Sequence, residues 1–406
     1  MSRLPFMRLP LLAVLAVLPV AGCSISQPSV PVGSYLGGDY VAVRTFAETQ
    51  EAEGDVENLA IVLNVKGQCQ LALGDVDAAR QTFQTAAQIM GTWATSGNEV
   101  TAAIVGSESS KTYKGDPYEK AMNAFYLSYC YLQKGEPDNA RAALKRGILM
   151  DGEVADEKFQ ADNALLFWMA GRMSRLFGAS GAEDYFKEAQ TANTFSIEHD
   201  ARGDVNNAIL ASPEKGNLVL LLPIGLGPKK FADGREEELA RFSPQSHPAV
   251  RAQATLDGES LGRSWILNDV DYQASTLGGT AMEGIRKGKA VFKRSTRIGG
   301  TVLVNEGLNN LDSDEGQAAA IVGGALLVFS ALTSSAADVR HWPTLPSTVQ
   351  VLVAEVPPGE HDLVVDFLDG SGRPLPQLQH TVRINVPSTG EAWFLIPSLP
   401  PAAAKP

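Results

Sequence analysis

Histidine and cysteine are the side chains here best suited to hold a metal or attack a carbonyl, and the chain has five histidines and three cysteines in 406 residues. His199, His247, His341, His361 and His380 are scattered, without the H-E-x-x-H or C-x-x-C company of a zinc or redox site. If the chain turns at Gly370-Ser371, His361 and His380 face each other across a hairpin as a candidate metal pair; ordinary strand pairing is the simpler reading. Gly225-Leu226-Gly227-Pro228-Lys229-Lys230 offers glycines and lysines to a phosphate. It lacks the G-x-x-x-x-G-K-[ST] spacing, and Pro228 removes an N–H that such a loop would use, so a strand-exit turn is the better reading. No catalytic residue, cofactor or metal ligand is assigned, and the chain is not read as an enzyme.

Two cysteines belong to helices. Cys69 and Cys130 each lie five residues before a turn glycine, Gly74 and Gly135, and so hold equivalent places in two repeats. Packed helices stand roughly 8 to 10 Å apart, too far for a disulfide between equivalent positions, so both read as small apolar residues facing a core. Cys23 is different. Residues 1–22 carry Arg3 and Arg8, then an apolar core from Leu11 to Leu18 that is short for a bilayer span and fits a secretory signal. The ending Val20-Ala21-Gly22-Cys23 resembles the bacterial lipobox, which implies that Cys23 is acylated and becomes the mature N-terminus. Acyl chains would anchor the protein to a membrane. Ser24 after the cysteine implies the outer membrane, with the body facing the periplasm. Residues 23–38, with Pro28, Pro31 and several glycines, read as a tether.

The elements that would position any site divide in two. From 39 to about 210 the pattern is helical. Lys111–Asp151 reads as two helices around Gly135-Glu136-Pro137, where glycine suits a helix C-cap and proline the first turn of the next helix. Gly74 is followed by Ala79, Phe83 and Ala86, and Gly135 by Ala140, Leu144 and Gly147; Ala182, Phe186 and Ala189 repeat the spacing. These small, large and small positions resemble helix B of the tetratricopeptide repeat, and Gly67 and Ser128 supply the small residue expected in helix A. A strict period fails across the polar stretch 91–116, so TPR-like hairpins with an insertion are expected. Tyr113, Tyr118, Phe125, Tyr126, Tyr129 and Tyr131 either line a groove or pack the helices together, and packing is the simpler reading.

From 213 to 400 the pattern is β-rich. Leu218–Ile224 is a continuous apolar run that reads as a buried strand, and Val349–Val356, His361–Leu368, Thr381–Val386 and Ala392–Ile396 read as short strands between turn-rich separators. An antiparallel sheet or small sandwich is expected. Between them lies an insertion, about 276–337, read as a helical hairpin. Arg286, Lys287, Lys289, Lys293, Arg294 and Arg297 precede the uncharged run Ala318–Leu332, so residues 286–332 are read either as a membrane-contacting hairpin or as a basic solvated element beside a Gly/Ala-rich buried helix. The formal net charge of −12 argues against nonspecific nucleic-acid binding.

The lipobox, the segment YKGDPYEKAMNAFYLSYCYLQKGEPDNARAALKRG, then LVLLLPIGLGPKK and ADVRHWPTLPSTVQVLVAEVPPGEH together resemble a family of uncharacterised bacterial TPR-containing lipoproteins. The resemblance covers most of the mature chain. Its two signature segments are matched by Asp116, Tyr118 and Glu119 and by Asp338, Arg340 and Trp342. These six residues are the candidate binding or docking set, and if the segments meet between the halves their role is docking. The overall expectation is an α+β chain with TPR-like helical hairpins followed by a β-rich domain. In function it is expected to be a lipid-anchored periplasmic scaffold or adaptor that binds a protein partner through its TPR-like repeats. The alternatives are a cell-envelope regulator of peptidoglycan synthesis and an enzyme of cell-wall glycan or lipid.

Overall fold

The structure, a computed structural model, describes residues 26–91, 112–151, 162–234, 237, 239–277 and 337–402. Cys23, the leader, the basic stretch 286–297 and the run Ala318–Leu332 lie outside them. The short helix α1 (Val32–Leu36) leads into α2 (Tyr40–Glu53), capped where the Ala42 N–H donates to Asp39 Oδ1 at 3.1 Å. Three hairpins follow: α3 (Leu59–Ala72) with α4 (Val76–Gly91), α5 (Pro117–Gln133) with α6 (Pro137–Asp151), and α7 (Ala164–Leu176) with α8 (Ala182–Glu198). Gly74, Gly135 and Gly178 close the first helix of each pair at φ of 80°, 69° and 70°, a left-handed conformation that costs glycine little.

One contact sets how closely the first and third pairs pack. A Cβ at Gly67 would lie 2.7 Å from the Phe83 ring, and one at Gly171 would lie 2.5 Å from Phe186. The large residue of the second helix thus seats on a bare backbone in the first. Cys69 and Cys130 are fully buried free thiols in these interfaces, and burial pushes both up to about 12. Five of the six predicted aromatics are buried and Tyr131 is half-buried, so they pack the helices.

After the one-turn helix α9 (Ala208–Ala211) come β1 (Leu218–Ile224), β2 (Lys229–Asp233), β3 (Leu239–Ser243), β4 (Arg251–Leu256), β5 (Glu259–Arg263) and β6 (Trp265–Asp269). Helix α10 (Val270–Leu277) then opens the insertion, and β7 (Thr348–Ala354), β8 (Gly359–Leu368), β9 (His380–Val386) and β10 (Ala392–Leu395) complete the described chain. One sheet runs β10-β1-β7-β6, a second runs β5-β4-β8-β9, and β2 pairs with β3 as a ribbon. The expected sandwich is present, with one departure from an antiparallel pattern: β1 and β10 are parallel, Leu218 opposite Ala392.

The run at β1 is apolar throughout because both its faces are covered. Val219 and Leu221 face the helices, in one core with Phe125, Trp168 and Trp393. Leu218, Leu220 and Leu222 face the second sheet, with Ala252, Val365 and Phe367. The order is therefore outer helices α4, α6 and α8, inner helices α3, α5 and α7, then the two sheets. Because the first core joins both halves, the boundary near 210 marks a change of element type and not a gap in packing.

The predicted tether is, over its described part, fixed to the body. Tyr35 is buried and Val30 packs beside the first core. Gln27 brackets the His341 backbone, donating from Nε2 to its carbonyl at 2.8 Å and accepting its N–H at 2.9 Å, and Tyr40 donates to the Pro400 carbonyl at 2.7 Å. Among the described residues no helix is long and apolar enough to cross a membrane.

Candidate functional site

The six candidate residues converge. Helix α5 begins at Asp116, whose N–H donates to Glu119 Oε2 at 2.8 Å, the return half of a capping box. Glu119 is fully buried and also accepts from the Tyr113 hydroxyl and, at 2.6 Å, from the Trp342 N–H. The segment Asp338–Pro346 therefore meets the head of α5 directly, across more than two hundred residues of sequence. Arg340, 1% exposed, is held by Asp338 through Nε at 2.9 Å and Nη2 at 2.7 Å, and its guanidinium lies 5.5 Å from the Tyr113 ring centre. Trp342 donates from Nε1 to Gln68 Oε1 at 2.8 Å and packs against the stacked rings of Phe83 and Tyr126 at 6.3 and 5.7 Å. Tyr118 meets Phe242 of β3 edge-on at 5.8 Å.

Lys230 completes the set. Its ammonium lies 2.6 Å from Asp116 Oδ2 and 5.7 Å from the Phe242 ring centre, so the lysine weighed as a phosphate ligand is buried in an ion pair. Burial works against its charge, yet Asp116, Asp338 and Glu119 outweigh it and raise its pKa. Burial pushes Glu119 up to about 7, the Asp116 charge adding to it, while Lys230 and the donors from Tyr113 and Asp116 pull back. These bonds join the helical half, the β half and the N-terminal segment. The arrangement is an internal dock.

The other chemical candidates are also taken. β8 and β9 pair with Val365 opposite His380 and His361 opposite Ile384, so the two histidines are not cross-strand partners. His361 contacts Asp257 Oδ2 through Nδ1 at 2.7 Å and the Pro357 carbonyl through Nε2 at 2.9 Å. Both ring nitrogens are thus engaged, one by a carboxylate and one by a backbone carbonyl. Gly258-Glu259-Ser260-Leu261-Gly262 has the G-x-S-x-G spacing of a nucleophile elbow, contrary to a reading of the sequence that finds none. Ser260 lies on β5, in a hairpin strand and not at a strand-to-helix elbow, and its hydroxyl accepts from Gly262 N–H at 3.3 Å. Among the described residues no group of three or more His, Cys, Asp or Glu is placed to hold a metal.

Open space lies around strands β4 to β6. Two clefts of about 450 and 620 Å³ share Arg263 and Trp265 as a common wall. Arg251 and Arg263 are exposed there and Trp265 is half-buried, with Ala201–Asp204 on the far side of the larger cleft and Lys215 and Glu355 bordering the smaller. Neither arginine stands out in the sequence, because they become neighbours only when β4 pairs with β5, Gln253 opposite Arg263. Searches against protein-family models and against curated proteins returned no match for this chain.

Proposed function

We propose that the chain is a lipid-anchored adaptor of the outer membrane, facing the periplasm, that binds a protein partner without catalysing a reaction. The helical hairpins act as the frame, and recognition falls to the double cleft around Arg263 and Trp265. The observation that carries this reading is the covering of the hairpins' inner side. Helices α3, α5 and α7 lie against the chain's own sheet and the Trp342 segment, so a partner must use another surface. The cleft pairs a large aromatic with exposed arginines, a combination common at interface hot spots, and its charge suits an acidic partner segment.

The test is affinity capture from envelope membranes with the lipidated chain carrying a C-terminal epitope, beside Cys23→Ala and Arg263→Glu/Trp265→Ala variants. One stoichiometric protein partner, lost in the cleft variant, supports the reading, and a wall synthase as that partner would make the chain a regulator of peptidoglycan synthesis. Glycan or lipid retained in place of protein would overturn it.

A further inference from the structure

The heads of two inner helices and the β2–β3 ribbon come together where the N-terminal segment joins the body. Ser26 is exposed, but its carbonyl accepts from Asn58 Nδ2 at 2.9 Å at the head of α3, and Gln27 is held by the His341 backbone. Arg340 links these points, donating from Nη1 to Asn58 Oδ1 at 3.3 Å. The same segment reaches the ribbon, where the Ala337 N–H donates to the Glu237 carbonyl at 2.8 Å between β2 and β3. Lys230 ties the ribbon's inner face to the head of α5.

The ribbon's outer face carries a different set. Lys229, Phe231 and Arg241 are exposed, and they share one face because Phe231 stands opposite Arg241 and Lys229 two residues away along β2. Phe231 is 41% exposed, and Val56, two residues before Asn58, is 68% exposed. Asp233 lies 3.5 Å from Arg241, but both are about half exposed, so the pair holds weakly and leaves the guanidinium open to other anions. An exposed aromatic beside basic side chains suits a lipid surface, with the ring among the headgroups and the cations on phosphates. The length of chain before Ser26 decides for lipid over a protein partner. Once Cys23 is acylated, only Ser24 and Ile25 separate it from Ser26, and three residue steps span at most about 11 Å. So short a lead holds the neighbourhood of Ser26 against the headgroups, and makes the ribbon's contact an intramolecular one that few side chains can sustain. We infer that the outer face of the β2–β3 ribbon, through Lys229, Phe231 and Arg241 with Val56 beside the head of α3, seats the body directly on a phospholipid surface. The inference rests on the anchoring at Cys23 and adds which end of the molecule meets the membrane. Its contacts lie at the heads of α3 and α5, so the turn end of the hairpins, about 21 Å along the 14 residues of α3, faces away from the lipid.

The test uses the full acylated chain in vesicles of phosphatidylethanolamine and phosphatidylglycerol. Cysteine replaces Phe231 in one variant and Phe177, 55% exposed where α7 ends at its turn, in another, and each is labelled with the dye NBD. Cys69 and Cys130 are buried and stay unlabelled. The dye at 231 is expected to brighten about threefold and to be quenched by spin-labelled lipid, while the dye at 177 shows neither change. Lys229→Glu/Arg241→Glu should lose most of the brightening at 231. Mass spectrometry of the N-terminal peptide separates the anchor from the seating. An unacylated Cys23 would overturn both. On an acylated chain, a dye at 231 that stays in water, or that brightens no more than at 177, would overturn the inference alone, as would brightening untouched by the charge reversal.

Discussion

Replacing Arg172 by methionine is expected to cost about 4 kcal/mol of folding stability, and the figure follows from what the guanidinium holds. It is 1% exposed on α7 and lies against both Trp168 and Trp393, 5.3 and 5.8 Å from their ring centres. It donates to Glu391 Oε2 at 3.1 Å and pairs with Oε1 at 2.7 Å. It also donates to the carbonyls of Pro213, Lys215 and Gly216 at 2.9, 2.8 and 2.7 Å, so one side chain ties the helices to the entry of β1 and the approach to β10. Methionine keeps much of the apolar contact but strands the largely buried Glu391 carboxylate. The carbonyls matter less, because Lys215 and Gly216 border the smaller cleft and water can reach them. Burial already raises the Glu391 pKa despite Arg172, so desolvation exceeds the pair's attraction. Arg172→Met/Glu391→Met should therefore recover to within about 2 kcal/mol of the parent. Urea unfolding of the two variants reads both effects, the single change lowering the midpoint by about 1 M. A single-variant loss below about 1 kcal/mol, or a double variant as unstable as the sum of its parts, would refute this account of the clamp.

Gly171→Ala and Gly67→Ala should each lose about 2 kcal/mol, because the new methyl overlaps the Phe186 or Phe83 ring; trimming the facing phenylalanine to leucine should restore part of it, read by thermal unfolding. Glu119→Gln tests the dock through pH. A folded carboxyl raised to about 7 binds a proton that the unfolded chain has released above about 4.5, so its contribution to stability falls as pH rises through that window. The glutamine variant lacks this fall and should gain on the parent by on the order of 2 kcal/mol between pH 5 and 8; a loss over that range would mean that the three donors dominate the burial cost. Cys69 and Cys130, pushed up to about 12, should resist a thiol reagent at pH 8 until denaturant is added.

The fold was legible where one residue type carried the signal. Turn glycines and small-on-large spacing marked the hairpins, and the apolar run at β1 marked a strand covered on both faces. The segments holding Asp116 to Glu119 and Asp338 to Trp342 stood out only through the family resemblance, and they do meet. What could not be read was created by pairing. Lys230 and Arg172 look like surface charges until their partners arrive from distant sequence. Strands β2 to β6 are short and half-polar because one face or edge meets water, which weakens the alternation. The Asp257-Gly258 turn between β4 and β5, with φ of 51° and 88°, was a usable signal that went unread.

The central claim is that recognition lies on the outer cleft because the hairpins' inner side is already taken. Photo-cross-linking in intact cells tests it most directly, with benzoylphenylalanine placed at Arg263 in one variant and at Val76, beside the mouth of the inner helices, in another. The account predicts one dominant protein adduct from position 263 and none from position 76. The same adduct from position 76, with position 263 silent, would contradict it.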